Sequence, residues 1–326
     1  MKIGDIEFVK NPLFLAPMED VTDPSFRYIC KQFGVDMVYT EFISSDGLIR
    51  DAYKSVEKLK INEEERPVGI QIYGHLMEPM VEAAIIAEQA KPDVIDINFG
   101  CPVKKIANRG AGSGMMKEPE KMIEMTRRIV NAVKTPVTVK TRLGWDEESI
   151  IIQNLAEQLQ DVGIKALTIH GRTRSQLYKG EANWAPIAEI KNNPNIKIPI
   201  IGNGDINSPA VAKEKFEQTG VDAIMIGRAT YGCPWIFRDI KHFLETGELL
   251  PEPSVSERVE IAKKHFIKSV QVKGEKVGVL EMRRHFSSYF KGLANFKETR
   301  LKLVTENNPE QILKLLEFVE ECWGKS

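Results

Sequence analysis

The chain has 326 residues, 42% of them hydrophobic and 28% charged, with a formal net charge of −1. That length and apolar content can bury one large core and leave room for a second, smaller one. No acidic or basic tail stands out, and no apolar run is long enough to span a bilayer.

The N-terminal stretch MKIGDIEFVKNPLFLAPM has an apolar patch but lacks a signal peptide's charged start and small-residue cleavage site, so a cytoplasmic protein is expected. The four cysteines, Cys30, Cys101, Cys233 and Cys322, form no C-x-x-C pair, and no histidine lies at metal-ligand spacing from any of them. Neither a disulfide framework nor a metal centre is expected.

Strand-like apolar runs follow in order at Leu13–Ala16, Met37–Thr40, Val68–Ile72, Val94–Asn98, Val137–Lys140, Ala166–Ile169, Ile200–Gly202 and Ala223–Ile226. Between them lie segments of helical periodicity, among them 78–90, 118–133, 150–163 and 208–220, several with proline near the first turn. Gly163 and Gly220 sit where C-terminal caps belong. Eight such β/α units predict a (β/α)₈ TIM barrel over residues 1–244, with a doubly wound open sheet as the alternative. ETGELLPEPS follows, and 245–254 reads as a linker. Residues 255–326 carry helical patterning only and predict a small C-terminal helical domain. Within it, 283–302 sets Arg283, Arg284, Lys291, Lys297, Arg300 and Lys302 against a single acid, Glu298, with Phe286, Tyr289, Phe290 and Phe296 interleaved. Two readings stay open for that stretch: a solvated helix face over an aromatic core, or a face for a polyanion.

A barrel gathers its chemistry at the C-terminal ends of its strands. Those ends read Pro17-Met18, Thr40-Glu41, Gln71, Asn98 to Cys101, Lys140 to Arg142, His170 to Arg172, Asn203-Gly204-Asp205 and Gly227-Arg228. Nearly all are polar. The two glycine loops after the last strands suit a phosphate, with Arg228 adding a full charge. Lys140 could hold negative charge or form a Schiff base, and the Gln71 amide matches the edge of a pyrimidine-like ring. Cys101 ends a buried strand and precedes the basic, glycine-rich PVKKIANRGAGSG.

In order and spacing, APMEDVTDPSFR (16–27), INFGCPVKK (97–105), GAGSG (110–114), VKTRLGW (139–145), LTIHGRTRSQLYKGEANW (167–184), IGNGDI (201–206) and MIGRATYGCPWIF (225–237) resemble the tRNA-dihydrouridine synthases. MRRHFSSYFKG (282–292) is similar to the tail of the bacterial B-type branch. The resemblance implies an FMN-dependent enzyme that reduces a D-loop uridine of tRNA to 5,6-dihydrouridine, with NADPH as electron source. It assigns FMN to Pro17, Met18, Gln71, Lys140, Asn203, Gly204, Asp205, Gly227 and Arg228, with His170 near the flavin and Cys101 as the catalytic acid. Glu19, in a position often held by a small residue, belongs to the same cofactor loop, which contacts flavin through its backbone.

The chemistry agrees. Hydride delivered to C6 of uracil leaves charge that must be quenched by a proton at C5, and a thiol of ordinary pKa can donate at neutral pH. Asn98 is expected on the uracil edge. Lys104, Lys105, Arg109, Arg142, Arg172, Arg283, Arg284 and Lys291 are expected on the RNA, which is engaged at its D-loop and elbow by a monomer. The glycine-rich loop is expected to be flexible and to order over the substrate, and binding is expected to weaken with salt. The rival readings are an FMN barrel acting on a free pyrimidine, as a dihydroorotate-type dehydrogenase does, a Schiff-base lyase, and an RNA-binding barrel without catalysis.

Overall fold

The computed structural model describes residues 1–324. Each apolar run becomes a strand: β1 (Leu13–Leu15), β2 (Val38–Tyr39), β3 (Val68–Tyr73), β4 (Val94–Asn98), β5 (Val137–Arg142), β6 (Leu167–His170), β7 (Ile200–Asn203) and β8 (Ala223–Ile226). All pair in parallel, in the order β1-β8-β7-β6-β5-β4-β3-β2, and a parallel bridge from Phe14 to Met37 closes the circle. This is the closed barrel, and the open sheet is excluded.

The helices around it are α1 (Pro24–Gln32), α2 (Met77–Gln89), α3 (Pro119–Ala132), α4 (Ile152–Asp161), α5 (Ala185–Asn192), α6 (Pro209–Thr219) and α7 (Ile236–Thr246). Proline opens α1, α3, α5 and α6, where its missing N–H has no helical partner to lose. Gly220 ends α6 in the left-handed region at φ 66°, as a C-terminal cap does. Gly163 lies one residue beyond the cap of α4, which is Val162. The β2–β3 connection departs from the pattern. It holds a short strand, Ile43–Ser44, that pairs with β3, two short helices and a 3₁₀ turn, Glu63–Glu65, in place of one long helix. An N-terminal hairpin, Lys2–Ile3 with Ile6–Glu7, lays Ile3 against Phe14 and Met37 at the base of the barrel.

Helix α7 continues to Thr246 and stops at Gly247, so the connecting segment starts two residues later than expected and runs over 247–254. A capping box between Ser254 and Glu257 then starts α8 (Val255–Lys273). Helices α9 (Glu275–Tyr289), α10 (Lys297–Thr305) and α11 (Pro309–Trp323) complete the helical domain, and residues 325–326 of the expected tail lie outside the described residues. Its core holds Phe286, Tyr289, Phe290 and Phe296, so the aromatics of the 283–302 stretch pack inward.

That domain rests on α1 and on the loop after β8. Asp23 caps α1 by accepting the Phe26 N–H at 2.9 Å, and its other oxygen pairs with Lys273 of α8. Phe26 lies against the rings of His265 and His285, at 5.6 and 5.1 Å between centroids. The two imidazoles meet edge to face at 4.5 Å, and His285 stacks on Tyr231. Gly232 touches α9 so closely that a Cβ there would lie 2.4 Å from that of Ser288.

Burial holds His285 down at about 4, and His265 is also held well below the imidazole range, against the pull of Asp23. Lys273 lowers both further, and Arg284 lowers His285. The unfolded chain therefore binds these protons first. Stability is fully present above the ordinary histidine pKa of 6.5 and is lost as pH falls from there toward 4. For His285 alone the window is worth about 3 kcal/mol. Thermal unfolding at pH 7.5 and pH 5 is expected to show a lower midpoint in acid, and His285→Phe is expected to shrink the difference. An unchanged pH slope in that variant refutes the assignment.

Candidate active site

Strand alternation builds the site. On the inward face, residues two apart stack in layers. The base of the interior is apolar and includes Phe14, Val94 and Ile201. The next level carries Gln71, Asp96 and Thr138, hydrogen-bonded to one another: the Asp96 carboxylate accepts from Gln71 Nε2 and Thr138 Oγ1, both at 2.6 Å. Above them, Asn98, Lys140, His170 and Asn203 line a cavity of about 890 Å³ that opens at the C-terminal ends of the strands.

The cavity also receives Pro17, Met18, Glu19, Cys101, Arg142, Gly204, Asp205, Gly227 and Arg228. Lys140 Nζ donates to Asn203 Oδ1 at 3.2 Å, and Asn203 Nδ2 donates to the Met225 carbonyl at 2.8 Å. Burial, reinforced by Arg142, lowers the Lys140 amine to about 8, partly offset by Asp96. Burial also holds His170 well below the imidazole range, with Arg142 and Lys140 adding to it, so the ring is neutral. Arg172 Nη1 lies 3.4 Å from His170 Nε2. Since arginine can only donate, that nitrogen accepts and Nδ1 carries the proton.

At the anion end, glycine is required at position 204. Gly204 has φ 131°, and a Cβ on it would stand 2.6 Å from Ala182 Cβ and 3.1 Å from the His170 ring. A Cβ on Gly227 would make only ordinary contact, 3.5 Å from Ala16 Cβ and Met18 Sδ. The backbone N–H groups of Gly204 and Gly227 have no partner among the described residues. Arg228, Arg142 and Lys140 face the same space. The donors and the excess positive charge fit a phosphate-bearing anion with a flat polar body, as FMN is.

Cys101 is held on both flanks. Its N–H, like that of Gly100, donates to Asn98 Oδ1 at 2.9 Å. Its carbonyl accepts from Ser113 N at 3.1 Å and Ser113 Oγ at 2.7 Å. The glycine-rich stretch is a buried 3₁₀ segment, Gly112–Lys117, and not a flexible cover. A Cβ on Gly112 would stand 3.0 Å from Cys101 Cβ, and one on Gly114 would stand 2.3 Å from the Ala107 carbonyl, so these glycines permit close packing. Burial pushes the Cys101 thiol up, countered by a backbone hydrogen bond at Val103 and by Arg142. Lys104 and Lys105 are not among the main influences on it. They lie exposed with Arg109 on the turn beside the cavity.

Several of the expected contact residues already have partners within the protein. Gln71 is fully buried below the cavity lining, and its amide bridges Asp96 and Asn98. Arg172 stands behind the wall, donating to the Lys179 and Gly180 carbonyls and to both oxygens of Asp205. Asp205 also takes Arg228 at 2.9 Å and the Ala182 N–H at 2.8 Å, so its carboxylate orients cations and has little left for a ligand. Arg142 lines the cavity but donates to the carbonyls of Gly100, Thr173 and Leu177, bracing three loops. Asn98 keeps one amide hydrogen free of the bonds already named. On the helical domain, Arg283 caps the end of α10 and Arg284 donates to the Asp20 carbonyl, whereas Lys291 is exposed. Glu19 pairs with Lys58 at 2.5 Å.

Among the cavity residues that escaped the sequence reading, two are aromatic and lie beside the cations or the helical domain. Tyr178 lies under Arg228, with the guanidinium 4.7 Å from its ring, and Tyr231 lines the wall nearest the helical domain. An exposed aromatic in the polar SQLYKG loop was the available signal for the first. No helix among the described residues is long and apolar enough to cross a membrane.

The Dihydrouridine synthase (Dus) family model matches residues 14–322. A probable tRNA-dihydrouridine synthase of Rickettsia bellii is 39% identical over 98% of this chain and 97% of its own length. A tRNA-dihydrouridine synthase B of Pseudomonas aeruginosa is 42% identical over 89% of this chain and 87% of its own. Among solved structures, a 2-naphthoyl-CoA reductase in complex with 2-naphthoyl-CoA superposes with TM-score 0.57 at 14% identity, covering 74% of this chain and 51% of the other, a likeness of fold alone.

Proposed function

The chain belongs to the dihydrouridine synthase family, and on that premise we propose how its cavity works on the uracil ring. The protein is an oxidoreductase that reduces uridine in tRNA to dihydrouridine. The cofactor is FMN, reduced by NADPH, and when bound it supplies the hydride that goes to C6 of the base. Gly204, Gly227 and Arg228 would hold its phosphate, and Lys140 with Asn203 would hydrogen-bond its polar groups; Pro17, Met18 and Glu19 form the facing wall, with neutral His170 across the cavity. Asp205 and Arg172 hold Arg228 and the His170 tautomer in place from behind.

The remaining work is a proton. Hydride at C6 places negative charge on the C5–C4–O4 side of the ring, and Cys101 Sγ–H gives its proton to C5. Burial favours this role, because a raised pKa keeps the sulfur protonated at neutral pH. The free hydrogen of the Asn98 amide serves the base edge. Lys104, Lys105 and Arg109 sit on the turn just after Cys101 and take RNA phosphates, joined by Lys291 on the helical domain. The uridine leaves its stack to enter, at a cost of a few kcal/mol, which the phosphate contacts offset. The target is a D-loop uridine.

The observation that carries this reading is a single thiol clamped at the mouth of a cationic, glycine-walled cavity. The test is mass spectrometry of unmodified tRNA after incubation with the protein, FMN and NADPH. A gain of two hydrogens at one D-loop uridine is expected. NADPH oxidation by yellow protein with no mass gain on tRNA would refute it.

A further inference from the structure

Asp96 lies on β4 two residues before Asn98, 1% exposed, and no contact proposed above uses it. A chain of side-chain amides leads from it to the reactive loop. Asp96 Oδ2 accepts from Gln71 Nε2 at 2.6 Å, and Gln71 Oε1 accepts from Asn98 Nδ2 at 2.8 Å. Asn98 Oδ1 then accepts the N–H groups of Gly100 and Cys101, both at 2.9 Å.

A primary amide can sit either way round, and its neighbours decide which end carries the nitrogen. An ionised carboxylate only accepts. It therefore turns the Gln71 NH₂ toward itself and the Gln71 oxygen toward Asn98. Asn98 must then offer its NH₂ to Gln71 and its oxygen to the Cys101 turn. With both amides reversed, the Asn98 NH₂ would face two backbone N–H groups and leave them without an acceptor. The carboxylate at one end and the two backbone N–H groups at the other demand the same sense, and the charge is what holds the buried end of the chain.

We propose that Asp96 is a positioning residue for proton donation, acting through Gln71 and Asn98 to fix the backbone turn that carries Cys101. The inference rests on the reading of Cys101 as the acid. Holding this charge is costly: burial raises the Asp96 carboxyl to about 6, although Thr138, Gln71 and Lys140 lower it. Ionisation at neutral pH thus works against folding, which a core selected for stability alone would avoid.

Hydrogen exchange followed by mass spectrometry reads the turn directly, without flavin or substrate. In Asp96→Asn, the amides of Gly100 and Cys101 are expected to exchange about tenfold faster or more, because their acceptor is no longer held. Adding Gln71→Glu moves the acceptor-only group one link along, where it can accept from the new amide at position 96 and from Asn98, and protection is expected to return. In single-turnover assays, Asp96→Asn is expected to slow uridine reduction about tenfold while leaving flavin reduction by NADPH unchanged. Wild-type protection in Asp96→Asn overturns the proposal, and so does a double variant as unprotected as the single one. If the single variant does not fold, the double variant decides by its own protection at these two amides. Failure of wild-type protein to reduce tRNA, or full activity in Cys101→Ala, would overturn the role of Cys101 and leave the exchange result standing.

Discussion

Cys101→Ala is expected to cut uridine reduction by about 10²–10⁴-fold, the range for loss of a general acid, while flavin binding and flavin reduction by NADPH stay near wild type. The separation follows from the site. The cationic and glycine groups of the anion end lie on β5, β7 and β8 and their loops, whereas Cys101 belongs to the loop after β4. Its backbone bonds to Asn98 and Ser113 use main-chain atoms, so alanine keeps them. Only the proton is removed. Cys101→Ser retains the geometry but replaces a thiol with a far weaker acid, so it is expected to stay slow. Stopped-flow reoxidation of reduced enzyme by unmodified tRNA measures the step. A serine variant at wild-type rate would show that thiol acidity is not what the reaction uses. Because burial raises the thiol, the wild-type rate is expected to hold through neutrality and to fall only on the alkaline side, above the ordinary thiol range.

Glu65→Ala is expected to destabilise the fold by about 3–5 kcal/mol, the cost of leaving a buried charge unpaired. Arg27 and Glu65 are 1% and 0% exposed, with 2.8 Å from Arg27 Nε and 2.7 Å from Nη2 to the same carboxylate oxygen. Asn62 satisfies the other oxygen at 2.7 Å. Arg27 also donates to the carbonyls of Thr22 and Lys60, so one guanidinium joins α1, the β1 loop and the irregular β2–β3 connection. The effect reaches the cavity, because the Thr22 hydroxyl accepts the Met18 N–H at 2.9 Å. Urea unfolding gives the value. Arg27→Met with Glu65→Leu is expected to recover most of the loss, since removing both charges removes the unpaired one. A Glu65→Ala protein within about 1 kcal/mol of wild type would mean that the pair is solvated by relaxation of its surroundings.

The eight strands were legible because buried parallel strands are continuous β-branched runs, a signal that survives without tertiary information. The β2–β3 connection was not. Two-residue strands and one-turn helices carry no periodicity, and the buried Arg27–Glu65 pair that organises them joins residues 38 positions apart. At the site, Lys140, Cys101, Asn203, Gly204, Gly227 and Arg228 fall where their strand ends put them. Gln71 and Arg172 occupy strand ends too, yet lie one level too deep or behind the wall, and depth within a barrel leaves no mark in a linear pattern. Asp96 did leave one: a carboxylate between Ile95 and Ile97 in a strand buried throughout. The 283–302 stretch left two readings open because aromatics alternating with lysine and arginine are also the pattern of an amphipathic helix facing its own core, which is where they pack.

The seat of α9 on the barrel limits how the two parts could have been recombined. Ser288 needs a glycine opposite it at 232, His285 needs the Tyr231 ring, and Arg284 reaches the Asp20 carbonyl in the loop that also supplies Met18 and Glu19. A chimera taking its helical domain from a relative would therefore have to import residues 20–26 and 231–232 as well, and those segments border the cavity. Exchanging the helical domain thus also alters the loop that lines the cavity, so on the proposed function RNA contact and base seating could not be varied independently.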